Sequence, residues 1–190
     1  MGRTKQQIGK GSKAKGSNFE NKLAKMIRET FIPEGVDSKV AYNLVHRTSM
    51  SGGRTERGDL IIQPPVLQYF PWFIEARNRQ TWSWEQIFKN PQENTIVKWY
   101  FKDAQGKCHP YAGKHSRQPM LVFTKNNDGI YCCIDGIDFV NLIHTSAHTF
   151  SFKLSLDMGA VGNLIILSFE EVLKCKSKLD ISMFDGLEFK

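Results

Sequence analysis

The chain has 190 residues, 41% of them hydrophobic and 12% aromatic, enough for one well-buried core with a small appendage. No apolar run reaches the length of a membrane span, and no apolar segment follows the basic amino terminus, so neither a spanning helix nor a secretory signal is expected and the location is read as intracellular, cytoplasmic. The net charge of +7 is unevenly placed: Arg3, Lys5, Lys10, Lys13 and Lys15 fall within residues 1–16 without an acid between them, either a phosphate-neutralising arm or a merely solubilising end.

Residues 1–16 lack apolar periodicity and are expected to be a flexible arm. Ser17 with Glu20 forms an S-x-x-E capping box, and Leu23, Met26, Ile27 and Phe31 recur behind it at helical spacing. Pro33, Gly35 and Asp37 end that helix, and Val40 to Val45 reads as a first strand. The stretch from Thr48 to Gly58 is polar and glycine-rich. Its Ser49, Ser51, Arg54 and Arg57 are the donors a phosphate backbone accepts, although a plain solvated loop has the same composition.

Leu60-Ile61-Ile62 and Trp72 to Arg77, separated by Pro64-Pro65, read as two neighbouring strands, with Asp59 opening the first. Side chains alternate along a strand, so Glu75 and Arg77 share one face, roughly 6–7 Å apart, and Ile74 and Ala76 point to the other. An acid beside an acid-x-base pair suits a hard cation. Mg²⁺ prefers oxygen ligands and needs only one or two carboxylates plus a phosphate. Such an ion activates water and stabilises a leaving oxygen in phosphodiester cleavage. The plain alternative is a turn residue at Asp59 and a surface pair at Glu75 and Arg77.

Downstream, Thr81 or Ser83 caps a short helix whose Trp84, Ile87 and Phe88 face inward. Trp82 either stays exposed, where it can stack on an unpaired base, or anchors that helix. Asn94 to Asp103 reads as a second main helix, and Ala104 to Gln118 as a polar loop with Lys107, His109, Lys114, His115 and Arg117. Met120 to Phe123 and Ile130 to Ile134 form a hairpin, Phe139 to Ile143 a helical turn, Phe150 to Leu154 an edge strand, Asn163 to Leu167 a strand and Phe169 to Lys174 a short helix. This pattern predicts an α/β fold: a mixed central sheet flanked by helices on both faces. The four cysteines show no C-x-x-C spacing, so no zinc site is expected, and Cys132 and Cys133 should face opposite ways.

The ordered set of Glu20, the Ser/Gly loop, Gly58-Asp59 and Glu75-Ala76-Arg77 resembles the core of the PD-(D/E)XK nuclease superfamily in its Gly-Asp variant. Lys15 to Glu20 with the helix behind it, and Arg47 to Gly53, are similar to the amino-terminal half of archaeal-type Holliday-junction resolvases, phage-encoded ones included. The likeness covers roughly residues 15–135. It implies a restriction-endonuclease-like core over 17–172, between the arm (1–16) and a tail (173–190). It also implies a Mg²⁺-dependent endonuclease, with Mn²⁺ as substitute, that cuts branched DNA as a homodimer and leaves a 5′-phosphate and a 3′-hydroxyl. Asp59, Glu75 and Glu20 would hold metal or orient water, Arg77 would steady the attacking water, and Gln86 resembles a glutamine that follows the motif in some members. Lys13, Lys15, Ser49, Ser51, Arg54, Arg57, Arg79 and Trp82 would meet DNA. The motif ends in lysine in the family, and here it ends in Arg77, which cannot lose a proton and implies reduced activity. A restriction-like or repair enzyme acting on duplex, or a DNA-binding module without catalysis, are the alternatives. The tail around Leu179, Ile181, Met183 and Phe184 resembles the peptide with which bacterial proteins dock on the sliding clamp; otherwise it covers the core.

Overall fold

A computed structural model describes residues 5–48, 58–108, 117–125, 128–146, 148–176 and 178–187, with side chains from residue 14 onward. Helix α1 (Lys5–Phe31) buries Phe19, Leu23, Ala24, Ile27 and Phe31 along one stripe. It starts well before Ser17, so the capping box is helix interior and residues 5–16 are helical. Lysine, glutamine and alanine are good helix formers, and each glycine among them costs only about 1 kcal/mol.

Asp37 accepts hydrogen bonds from the backbone N–H groups of Lys39 and Val40 and so caps α2 (Ser38–Leu44). The expected strand there begins only at β1 (Val45–Arg47). The apolar run was legible, but the Asp37 cap decides its first half for helix. β1 pairs antiparallel with β2 (Leu60–Ile62) as a separate two-stranded sheet. After α3 (Val66–Tyr69), β3 (Trp72–Asn78) opens a five-stranded sheet ordered β3-β4-β5-β7-β6, with β4 Gln118–Thr124, β5 Tyr131–Asp135, β6 Lys153–Asp157 and β7 Asn163–Ser168. β3 and β4 are parallel and the remaining pairs antiparallel, so the sheet is mixed, as the sequence predicts.

A parallel pair needs a crossover. Here it runs through α4 (Trp84–Lys89), α5 (Thr95–Trp99), a π-helical stretch (Tyr100–Gln105) and α6 (Gly106–Cys108). Two apolar layers result. Ile74, Ala76, Met120, Val122 and Cys132 meet α1 and α8 (Phe169–Lys174) on one face. Leu121, Phe123 and Cys133 meet Trp82, Ile87, Ile96 and Tyr100 on the other.

Several local expectations shift. Trp82 is buried to 2% exposure and stacks edge-on against Trp84 and Phe123, so it cannot receive a base. Phe88 is exposed instead of inward. The helical turn after β5 is the nine-residue α7 (Gly136–His144), capped by Asp135. The edge strand starts at Lys153 rather than Phe150. In the tail, Leu179 and Phe184 are buried in the core of this chain with Met183 packed beside them, and Ile181 stays exposed. Two of the four residues read as clamp anchors are therefore committed to the fold itself.

Candidate active site

β3 is an edge strand, and its outer edge is where the site forms. Ile74 and Ala76 present their backbone groups outward. The Ile74 carbonyl accepts from the Asp59 N–H at 2.9 Å, and the Ala76 N–H donates to Asp59 Oδ2 at 2.8 Å. The Asp59 carboxylate thus occupies the place a further strand's carbonyl would take, which fixes its position against the sheet. β2 and β3 are neighbours through this junction and not through a ladder. Gly58 makes the approach possible. Its φ is +70°, and a Cβ there would lie 2.5 Å from the Ile74 carbonyl oxygen. Thr48 holds the same turn from the other side: its N–H donates to the Asp59 carbonyl at 3.0 Å and its hydroxyl to the Gly58 carbonyl at 3.2 Å.

Glu75 and Arg77 share the β3 face that turns towards the crossover helices, and Arg77 Nη2 donates to Glu75 Oε2 at 3.2 Å. Arg77 Nη1 lies 3.5 Å from Asp59 Oδ2. Two crossover residues complete the cluster. Asp103, in the π-helical stretch, accepts from Arg77 Nη2 at 2.6 Å and from Nε at 3.2 Å. Lys107, in α6, donates to Glu75 Oε2 at 2.8 Å. Lys107 falls in the segment expected as a polar loop, and Asp103 at the end of the expected helix; the π-helical turn brings both to β3.

Glu20 approaches from α1. Its Oε2 accepts from Arg47 Nη1 of β1 at 3.3 Å, a partner 27 residues away in the chain. Burial, and then the Asp59 charge, raise the Glu20 pKa above the ordinary carboxylate value, with Arg47 opposing. Burial, again followed by Asp59, pushes Glu75 up to about 7 against the Lys107 and Arg77 charges. Burial disfavours the Arg77 charge, yet its hydrogen bond to Asp103 and the surrounding carboxylates outweigh this, and its pKa lies above the ordinary value. The Asp59 charge is felt at both Glu20 and Glu75. Asp59 and Glu75 meet at Arg77, while Glu20 pairs with Arg47 and feels the Asp59 charge.

The other sequence-predicted residues divide. Lys15 and Arg79 are exposed, and Lys15 borders a groove of about 530 Å³ with Asn18, Lys22, Asn78 and Thr124, one residue beyond Arg77 along β3. Gln86 is exposed on α4, and among the described residues its side chain bonds none of the acids. Ser49, Ser51, Arg54 and Arg57 lie outside the described residues, as does the side chain of Lys13.

A family model described as "Phage putative PDDEXK endonuclease" matches residues 11–181. The chain belongs to that family. No curated protein and no solved structure matches it. Membership in the PDDEXK family supports a nuclease and agrees with the mixed α/β sheet described above. No helix among the described residues is long and apolar enough to cross a membrane.

Nucleases of this family generally use divalent metals, and the donor set can be tested for fit. Among the described residues, no three acids, histidines or cysteines form a ready-made metal cluster. The ligands on offer are all oxygens. Asp59 and Glu75 each bond the cluster through one oxygen, Oδ2 and Oε2, leaving Oδ1 and Oε1 uncommitted among the described residues. Two carboxylates with a substrate phosphate suffice for Mg²⁺. Glu75 is 1% exposed, and burial with the Asp59 charge disfavours its ionised form against Lys107 and Arg77, so a further cation beside it would favour that form. The residues fit a hard divalent ion.

Proposed function

We propose that the chain is a Mg²⁺-dependent DNA endonuclease selective for branched DNA, with a four-way junction as its preferred substrate. One observation carries the reading: Asp59, docked on the free edge of β3, and the buried Glu75 flank a guanidinium at the sheet margin, with Glu20 in the same field. Asp59 and Glu75 would hold the ion, which supplies an activated water and charge neutralisation at the scissile phosphate. Glu20 orients water from the α1 side. Arg77 keeps the two carboxylates in position while the site is empty of DNA. Lys15 and Lys22 on α1, with Arg79 beyond β3, would bond the phosphate backbone on either side of the cut.

The preference for junctions rests on the likeness of Lys15 to Glu20 and Arg47 to Gly53 to resolvases. Cutting a four-way junction symmetrically requires two sites related by a two-fold axis, so a homodimer belongs to the same proposal. A DNA-binding module without catalysis is the second reading, favoured by the absence of a three-acid cluster among the described residues. The experiment sets a labelled four-way junction beside linear duplex of the same sequence, each with Mg²⁺ and with chelator. Paired, Mg²⁺-dependent incisions near the branch support the proposal. Equal cutting of both substrates favours a duplex enzyme, and binding without incision favours the module.

A further inference from the structure

Two cations reach the same oxygen of Glu75, and they are held very differently. Arg77 Nη2 lies 3.2 Å and Lys107 Nζ 2.8 Å from Oε2. The guanidinium is tied on every side. Nε and Nη2 both donate to Asp103 Oδ2, Nη1 donates to the Ala76 carbonyl at 2.9 Å, and only 21% of the side chain is exposed. Moving it towards a substrate means breaking the short pair with Asp103. Among the described residues Lys107 has one bond, to Glu75, and 49% of its side chain is exposed. An ammonium carries three donors on a flexible stem, so two remain for a group arriving from solvent.

The backbone holds Lys107 there for a definite reason. The chain widens into a π-helical stretch over Tyr100–Gln105, and the Gly106 N–H bonds back to the Phe101 carbonyl. A Cβ on Gly106 would lie 2.9 Å from that carbonyl oxygen, so the wide turn depends on glycine. It carries Asp103 and Lys107 to the β3 face together. Single wide turns of this kind are frequent at functional sites.

We propose that Lys107 is the catalytic cation of this site, leaving Glu75 to hydrogen-bond a non-bridging oxygen of the scissile phosphate, while Arg77 is a positioning residue clamped by Asp103. The proposal rests on the nuclease reading above. It reassigns the role expected of Arg77: the fixed guanidinium sets the carboxylates, and the mobile ammonium follows the phosphate. Before DNA arrives, the Lys107 ammonium neutralises the Glu75 carboxylate and so competes electrostatically with a divalent cation held at its other oxygen. Once it bonds the phosphate, that competition ends.

The test uses the full chain, with Lys107→Ala, Lys107→Arg and Arg77→Lys, and three readouts. The first is the single-turnover cleavage rate at saturating DNA and Mg²⁺. The second is the Mg²⁺ concentration giving half the maximal rise in melting temperature without DNA. The third is the melting temperature in chelator. Lys107→Ala should cut roughly 100-fold or more slowly, the loss expected when one donor to developing charge is removed. It should bind Mg²⁺ several-fold more tightly than wild type without DNA, because its competitor is gone. Its melting temperature should stay close to wild type, because the side chain is half exposed. Lys107→Arg should recover part of the rate. Arg77→Lys should melt lower and cut no faster than wild type. Lys107→Ala cutting at the wild-type rate, or binding Mg²⁺ no more tightly, overturns the assignment while the nuclease reading stands. Failure of the wild type to cut any DNA with Mg²⁺ or Mn²⁺ overturns both.

Discussion

Replacing Glu75 with glutamine should stabilise the protein above neutral pH and remove a pH dependence that the wild type carries. The carboxyl is 1% exposed, and burial, reinforced by Asp59, raises its pKa from the ordinary 4.5 to about 7. The folded state therefore holds this proton more tightly than the unfolded chain does. Stability that is fully present below pH 4.5 is lost as pH rises through about 7 and stays lost above it. That shift corresponds to on the order of 3 kcal/mol at most. For a chain of this size it is roughly 6–12 °C of melting temperature. Glutamine keeps the shape and a carbonyl that accepts from Lys107 and Arg77, but it has no proton to lose. The assay is thermal unfolding by circular dichroism in chelator, at several pH values from 4.5 to 8.5, for both proteins. Glu20 and Asp138 also have raised pKa values, but they titrate in both proteins and cancel in the difference. The expected difference is small at low pH and grows in favour of the variant through neutrality. Parallel curves, or a variant that is less stable at pH 8, would refute the reasoning.

Other substitutions separate the site from the scaffold. Gly58→Ala should cost about 1–3 kcal/mol of stability and most of the cleavage rate, because it forces a left-handed residue against the Ile74 carbonyl and displaces Asp59; chemical denaturation and a nicking assay read the two effects. Trp82→Ala should lower stability by about 3–5 kcal/mol through the cavity it leaves, and a protein that folds normally but binds DNA poorly would contradict its burial. Leu179→Ala should cost about 2–5 kcal/mol in urea unfolding, since the side chain fills the core; unchanged stability would reopen its use as a docking anchor.

The legible parts of the fold were those where local pattern and burial agree. β4, β5 and β7 are short apolar runs buried on both faces, and α8 was recovered over its full length because Phe169, Val172 and Leu173 recur at helical spacing. That Glu75 and Arg77 share a face was legible because a strand's alternation puts acid and base on one side. What failed depended on contacts distant in sequence. Trp82 stayed open between an exposed ring and a helix anchor because nothing nearby announces Phe123 and Tyr131, which enclose it. Asp103 and Lys107 were invisible as partners of β3 because the crossover that brings them back, and the π-helical turn that aims them, leave no local mark beyond Gly106. Arg47 likewise meets Glu20 only once β1 has packed along α1.

The most direct test of the account is incision of end-labelled junction DNA by the wild type and by Asp59→Asn, with Mg²⁺ and with chelator, alongside DNA affinity measured in chelator. The account predicts Mg²⁺-dependent strand breaks bearing a 5′-phosphate and a 3′-hydroxyl for the wild type. It predicts none for Asp59→Asn, which should retain its grip on DNA. Breaks that persist in chelator, or that Asp59→Asn makes as fast as the wild type, would show that the carboxylates on the β3 edge are not where the phosphodiester is cut.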